Sequence, residues 1–322
     1  MNAKQKSAFS LTGKRVMVAG HKGMVGSAIV RRLQREDCEL LTVGRDEVDL
    51  RHREDVDAWM ARHRPEVVFL AAAKVGGILA NDTLPAEFIY DNLTIETSVV
   101  HGAWKNGVAK LMLLGASCLY PKNATQPVVE EALLSGPLEA TNQWYAIAKI
   151  AGIKLCQAYR KQYGCDFISV LPTNLYGPDD NFNVEFSHVI PALILKAHQT
   201  KESGDESMLV WGSGTPLREF LYVDDLADSL VFLMQNYSCI DPINVGSGIE
   251  VSIRELARTI CKVVGFKGDL TFDTSKPDGA PRKLLDTSKL SNLGWQAKTS
   301  LDDGLSQAYR WFLENKAESF RP

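Results

Sequence analysis

The chain has 322 residues and 35.6 kDa, with 45% hydrophobic and 23% charged residues, which suits one large α/β domain or two unequal ones. A net charge of −3 and a pI near 6.1 exclude a strongly basic surface, so neither nucleic acid nor an acidic membrane is the expected partner. No apolar run reaches the ~20 residues of a membrane span. The six scattered cysteines lack CxxC spacing, so they predict reduced thiols in a cytoplasmic protein, with no metal site.

Met1–Gly13 is polar and lacks the apolar stretch of a signal peptide, which predicts a disordered leader over 1–13. Lys14–Gly20 reads as a buried strand and Met24–Gln34 as a helix ending in basic residues. Strands at Glu39–Val43, Val67–Ala73, Lys110–Gly115 and Phe167–Leu171 then alternate with helices at Asp55–His63, Ala86–Asn106 and Gln143–Tyr163. That rhythm predicts an α/β fold, a Rossmann-type doubly wound parallel sheet, with its ligand crevice at the strands' C-terminal ends. After Pro172 turn formers multiply, and a helix follows at Val189–His198. The expected organisation is a dinucleotide-binding domain over 14–177 and a smaller α/β substrate lobe over 178–322. Segment 221–247 is expected to return to the first domain.

Gly20-His-Lys-Gly23-Met-Val-Gly26 lies between the first strand and first helix. Glycines at this spacing permit a tight turn, close approach of backbone to a pyrophosphate, and close helix–strand packing. At the end of the second strand, Arg45 suits a 2′-phosphate and points to NADP(H). Asp46 beside it supplies the alternative, in which the carboxylate takes the ribose diol and Arg45 is solvated.

Tyr145 and Lys149 stand four residues apart, on one face of the Gln143–Tyr163 helix. An ammonium beside a phenol is expected to lower its pKa, so that Tyr145 can pass a proton to a carbonyl oxygen. The tetrapeptide alone fits an ordinary amphipathic helix equally well.

The glycine pattern and Tyr145-Ala-Ile-Ala-Lys149 together resemble the extended short-chain dehydrogenase/reductases, which act largely on nucleotide sugars. Ala71–Gly77, Ser117-Cys-Leu-Tyr-Pro121, Pro172–Gly177, Asn181–Pro191, Trp211–Phe220 and Lys276–Lys283 are similar to its GDP-4-keto-6-deoxymannose epimerase/reductase branch. The resemblance implies inversion of a GDP-sugar at C3 and C5, next to a C4 ketone, then NADPH-dependent reduction of that ketone. It makes Cys118 and His188 the inversion pair, the thiol's pKa lowered by a neighbouring imidazolium, with Tyr145 and Lys149 serving reduction. Without it, Cys118 reads as a small buried hydrophobe and His188 as structural.

Carried onto this sequence, the family's cofactor contacts fall at Gly20, Lys22, Gly23, Met24, Val25, Gly26, Arg45, Asp49, Leu50 and Ala72. They continue at Leu114, Gly115, Ala116, Ser117, Lys149, Pro172, Thr173, Asn174, Leu175 and His188. Lys196, Trp211, Arg218 and Asp278 match positions that hold the GDP-sugar; the plain alternative for Lys196 and Asp278 is solvated surface. Relatives dimerise through the Tyr/Lys helix and the long helix before it, so Val99, Ile150 and Leu155 are expected either in a homodimer seam or in the core.

One position departs from the family. A serine or threonine that bonds the substrate O4 is expected four residues before Tyr120, where Ala116 stands. A weaker site, a bond shifted to Ser117, or an introduced serine-to-alanine change would each account for it. The rival functions are a related reductase giving GDP-colitose, a cofactor-recycling nucleotide-sugar 4-epimerase or 4,6-dehydratase, and a cofactor-sensing protein without activity.

Overall fold

The computed structural model describes residues 8–183, 187–276 and 278–316. β1 (Arg15–Ala19) is buried from Val16 onward and turns through the glycine loop into α1 (Met24–Leu33). β2 (Glu39–Thr42), α2 (Arg53–His63) and β3 (Val67–Leu70) follow. β3 ends before Ala73, because the chain leaves the sheet where Asn92 grips both the N–H and the C=O of Lys74. A short α3 (Ile78–Thr83) precedes α4 (Pro85–Lys105), β4 (Lys110–Leu114), α5 (Gln143–Tyr163) and β5 (Asp166–Pro172).

β6 (Asn174–Tyr176), α6 (Val189–Ser203), β7 (Ser207–Trp211) and β8 (Leu217–Tyr222) leave this sheet. α6 passes the predicted stop at His198, which is buried and bonds the Tyr309 hydroxyl, and ends at Gly204 in the left-handed region. α7 (Val223–Asn236) then packs on α1, joined by Arg31–Asp224 and Arg32–Asp228 ion pairs of 2.8 Å each. β9 (Ile243–Val245) pairs with β5 and completes a six-stranded sheet, β2-β1-β3-β4-β5-β9, parallel throughout. The remaining elements are β10 (Glu250–Ser252), α8 (Ile253–Val264), β11 (Asp269–Asp273), β12 (Arg282–Lys283), α9 (Ser288–Asn292) and α10 (Leu301–Glu314). β8 is flanked by β10 and β12 and also pairs with β6, while β11 pairs with β7.

Alternation along β1 divides the main core in two. Val16 and Val18 pack with Ile29 of α1 and Leu226 and Leu230 of α7, whereas Met17 and Ala19 face Val56, Val99 and Ile153 from α2, α4 and α5. A sheet covered on both faces requires the continuous apolar strands seen in the sequence. A separate cluster, including Ile194, Leu256, Ile260 and Phe312, underlies α6, α8 and α10.

One expectation is corrected here and one open alternative is decided. The leader does not extend to Gly13: Leu11 is fully buried and the Phe9 N–H donates to the Gln235 carbonyl at 2.7 Å. Burial of two apolar side chains on α7's layer anchors this stretch, and residues 1–7 lie outside the described residues. Of the two readings of Val99 and Ile150, the core reading holds, since they are 0% and 6% exposed inside the sheet–helix layer, with Leu155 packed against it.

Candidate active site

The glycine loop is shaped to receive a diphosphate. Gly20 has φ +88°, and a Cβ there would sit 2.7 Å from Ala72 Cα; one at Gly26 would strike the Gly20 carbonyl oxygen at 2.0 Å. At Gly23 a Cβ would meet only that oxygen, at 3.5 Å, so the loop's outer side is open. Gly23 is also the N-cap of α1 and offers no side-chain acceptor, which leaves the first-turn amides around Met24 and Val25 for an anion. Leu114 ends β4 beneath the cleft, and the Gly115 N–H donates to the Val170 carbonyl.

Two cations stand at the end of β2. Lys22 faces Asp46 at 3.5 Å, and Arg45 reaches Asp49 at 3.6 Å; the Lys22 and Arg45 side chains are 72% and 74% exposed. Asp49 is committed to Arg51, whose guanidinium holds the carboxyl well below the usual carboxylate range, and half-buried Leu50 lies between them. These residues fit a phosphorylated ribose: the carboxylates are occupied, and the cations reach into solvent.

At the other end of the cleft, Tyr145, Lys149 and Cys118 converge, with a different electrostatic balance from the one expected. Burial pushes the Tyr145 phenol up, and Cys118 and Glu96 add to it; Lys149 does not lower it. The Lys149 ammonium is turned to Glu96 instead, at 2.7 Å. Burial likewise raises the Cys118 thiol; Lys283 draws it back most strongly, followed by Cys118's own backbone N–H, the Asn142 side chain and Lys149. The expected imidazolium takes no part.

His188 is the N-cap of α6, exposed to solvent yet walled by protein, and burial lowers its pKa, which favours the neutral ring. Among the described residues no hydrogen bond or charge interaction joins it to Cys118 or Tyr145. Ala116 is extended after β4, and Ser117 opens a short 3-10 turn, Ser117–Leu119. Ser117 thereby lines the same cavity as Cys118, Thr173 and Lys283. Pro172 ends β5, Thr173 and Asn174 donate to the Glu219 carbonyl, and half-buried Leu175 continues into β6.

The four substrate candidates form one wall. Lys196 and Lys276 lie 6.0 and 5.6 Å from the Trp211 ring, which is itself 67% exposed. Asp278 accepts from the Ser213 N–H at 2.7 Å and from its hydroxyl at 2.8 Å, which fixes the loop after Trp211. Arg218 is half-buried, its pKa lowered by burial and supported by Asp278.

Sequence reasoning missed Lys283 and Glu96. Lys283 is in register with Arg218 across parallel strands and lines the same cavity as the Cys118 thiol. The Lys276–Lys283 block carried that signal, but its position over Cys118 depends on β12 joining β8.

A glycine-cradled dinucleotide cleft that leads to a Tyr/Lys pair and a thiol defines a nucleotide-cofactor-dependent oxidoreductase site on a Rossmann sheet. The chain belongs to the NAD dependent epimerase/dehydratase family, whose model matches residues 16–246. It is 59% identical, over 97% of its length and 99% of the relative's, to a GDP-L-fucose synthase of Sinorhizobium fredii. A GDP-L-fucose synthetase from Naegleria fowleri, solved bound to NADP, superposes with a TM-score of 0.91 at 32% identity, covering 98% of this chain and 99% of that one. A GDP-L-colitose synthase of Yersinia pseudotuberculosis is more distant, 37% identical over 94% of this chain and 99% of its own.

Proposed function

We propose that this chain converts GDP-4-keto-6-deoxy-D-mannose to GDP-L-fucose, inverting C3 and C5 and then reducing the C4 ketone with NADPH. The observation that carries the proposal is the convergence of Cys118 and Tyr145 beside buried Lys149, in a chain so similar to enzymes of that name. The higher identity to fucose-forming than to colitose-forming relatives favours this substrate.

Gly20, Gly23 and Gly26 cradle the cofactor's diphosphate, and Lys22 with Arg45 meets its 2′-phosphate. Bound NADPH supplies the hydride for C4. The chain's own residues manage protons. The C4 ketone acidifies the hydrogens at C3 and C5; Cys118, as thiolate, takes one, and His188, once its otherwise neutral ring has taken a proton from solvent, returns one on the opposite face. Each inversion leaves thiol and neutral imidazole; the Cys118 thiol gives its proton up to solvent and His188, open to solvent, takes one, which resets the pair. Tyr145 keeps its proton far above neutral pH and gives it to the C4 oxygen as the alkoxide forms. Lys196, Arg218 and the Trp211 platform hold the nucleotide end, while Asp278 shapes the loop.

Ser117 takes the part that Ala116 cannot: it lines the cavity that holds Cys118. Ser117→Ala is expected to slow reduction by about 10²–10³-fold, as the loss of an oxyanion donor does. Ala116→Ser is then expected to change kcat little. The reverse pattern in steady-state assays would move the donor position to 116.

Residues 14–177 with 221–247 are proposed as the cofactor domain and the rest of 178–322 as the substrate lobe. Free cysteines throughout support a cytoplasmic setting, and no helix among the described residues is long and apolar enough to cross a membrane. Exposed Tyr90 on α4 and Trp144 and Ile147 on α5 support a homodimer through those helices, which a monomeric mass in light scattering would remove. NMR identification of the product from GDP-4-keto-6-deoxymannose and NADPH tests the whole reading. NADPH consumption with retained mannose configuration at C3 and C5 would reduce it to a plain reductase, and no consumption would refute it.

A further inference from the structure

Glu96 is an acid with no task in the chemistry above, and its placement is unusual. It lies on α4 at 1% exposure, within the most extensive helix–helix contact of the molecule, and faces α5. Its Oε1 is 2.7 Å from the ammonium of Lys149, which is 2% exposed. The lysine's charge and hydrogen bond are the main compensation for burying this acid, with the Gly152 backbone N–H adding to them. The approach is possible because α5 has a glycine at that point: a Cβ on Gly152 would lie 2.1 Å from Glu96 Oε2.

A buried ion pair is seldom favourable to stability in itself, since desolvation of both charges offsets much of their attraction. Here one partner is the lysine of the Tyr/Lys pair, and the acid holds it toward α4. We propose that Glu96 is a positioning residue for Lys149, and that through this ion pair it sets how readily Tyr145 ionises. The inference rests on the reductase reading above only for its catalytic consequence.

Among the described residues, the groups that act on the phenol sit on three elements, with Lys283 reaching only the Cys118 thiol. Cys118 faces it from the turn after β4, Glu96 from α4 and Lys149 from α5, while Cys156 lies beyond the pair on α5. Glu96 disfavours the phenolate directly and also occupies the cation that would favour it. Removing its charge while keeping its shape takes away both effects.

The test is the ultraviolet tyrosinate titration of Glu96→Gln, with Tyr145→Phe in each background subtracted so that only this phenol is read. No substrate is needed. The Tyr145 signal is expected to appear at lower pH in E96Q, with a several-fold larger phenolate fraction at a fixed alkaline pH. In parallel, the alkaline limb of the kcat profile for NADPH oxidation is expected to move to lower pH, because the acid form of Tyr145 is lost sooner. An unchanged titration in a folded E96Q protein overturns the inference. If E96Q does not fold, Glu96→Asp, which withdraws the carboxylate by one methylene, is expected to shift the titration in the same direction, and an unchanged curve there overturns it equally. A shifted titration in a protein that never oxidises NADPH would leave the coupling standing and refute the catalytic reading instead.

Discussion

Cys118→Ala is expected to abolish inversion while sparing reduction. In deuterated solvent the unaltered protein should place deuterium at C3 and C5 of the product; the variant should place it at neither, with exchange slowed by about 10²–10⁴-fold, the usual contribution of a positioned acid or base. The ketone would still be reduced, because Tyr145 and the cofactor cleft do not depend on the sulfur, and a product of uninverted configuration should accumulate. The pH dependence has a definite sign. Inversion needs the thiolate, and burial lifts the thiol's pKa above its ordinary value, so the exchange rate should climb as pH rises through that pKa. Lys283 opposes the lift, which makes it the cation that most favours the thiolate. Normal deuterium incorporation in the alanine variant would remove Cys118 from the mechanism.

Tyr145→Phe is expected to give the opposite result. Hydride delivery to C4 requires a proton on the oxygen, and the phenol is the acid that the structure places beside Cys118. NADPH oxidation should fall by about 10²–10⁴-fold, while exchange at C3 and C5 continues because the ketone still acidifies those positions. The two variants therefore separate the stages that one pocket combines. With the phenol held above its ordinary pKa, reduction should persist through neutral pH and fail only on the alkaline side, as the proton is lost. Full reductive turnover in the phenylalanine variant, followed by NADPH absorbance, would transfer the acid role elsewhere. Ser117, in the same cavity, would be next to test.

These expectations draw on different levels of the molecule. The boundaries of α5, Gln143–Tyr163, were readable from its pattern, because apolar spacing and the glycine after its last turn are local properties. The glycine loop was equally legible: a chain that must pass Ala72 at contact distance and then start a helix tolerates little else. The Cys118 and His188 roles, by contrast, came only through family resemblance. Neither residue has neighbours in sequence that betray its chemistry, and the cation beside Cys118 arrives on β12.

Composition and periodicity by themselves determined the strand–helix alternation, the parallel sheet and the cleft's phosphate end, since each depends on contacts within one βα unit. The anchoring of residues 8–13 and the pairing of Glu96 with Lys149 were decided only by the folded chain, as was the meeting of Lys283 with Cys118. Each of these joins segments far apart in sequence and depends on which buried faces come together. The charge balance of the phenol and thiol follows from that packing: removal from water sets how far each pKa moves, and a sequence alone does not say which groups become enclosed.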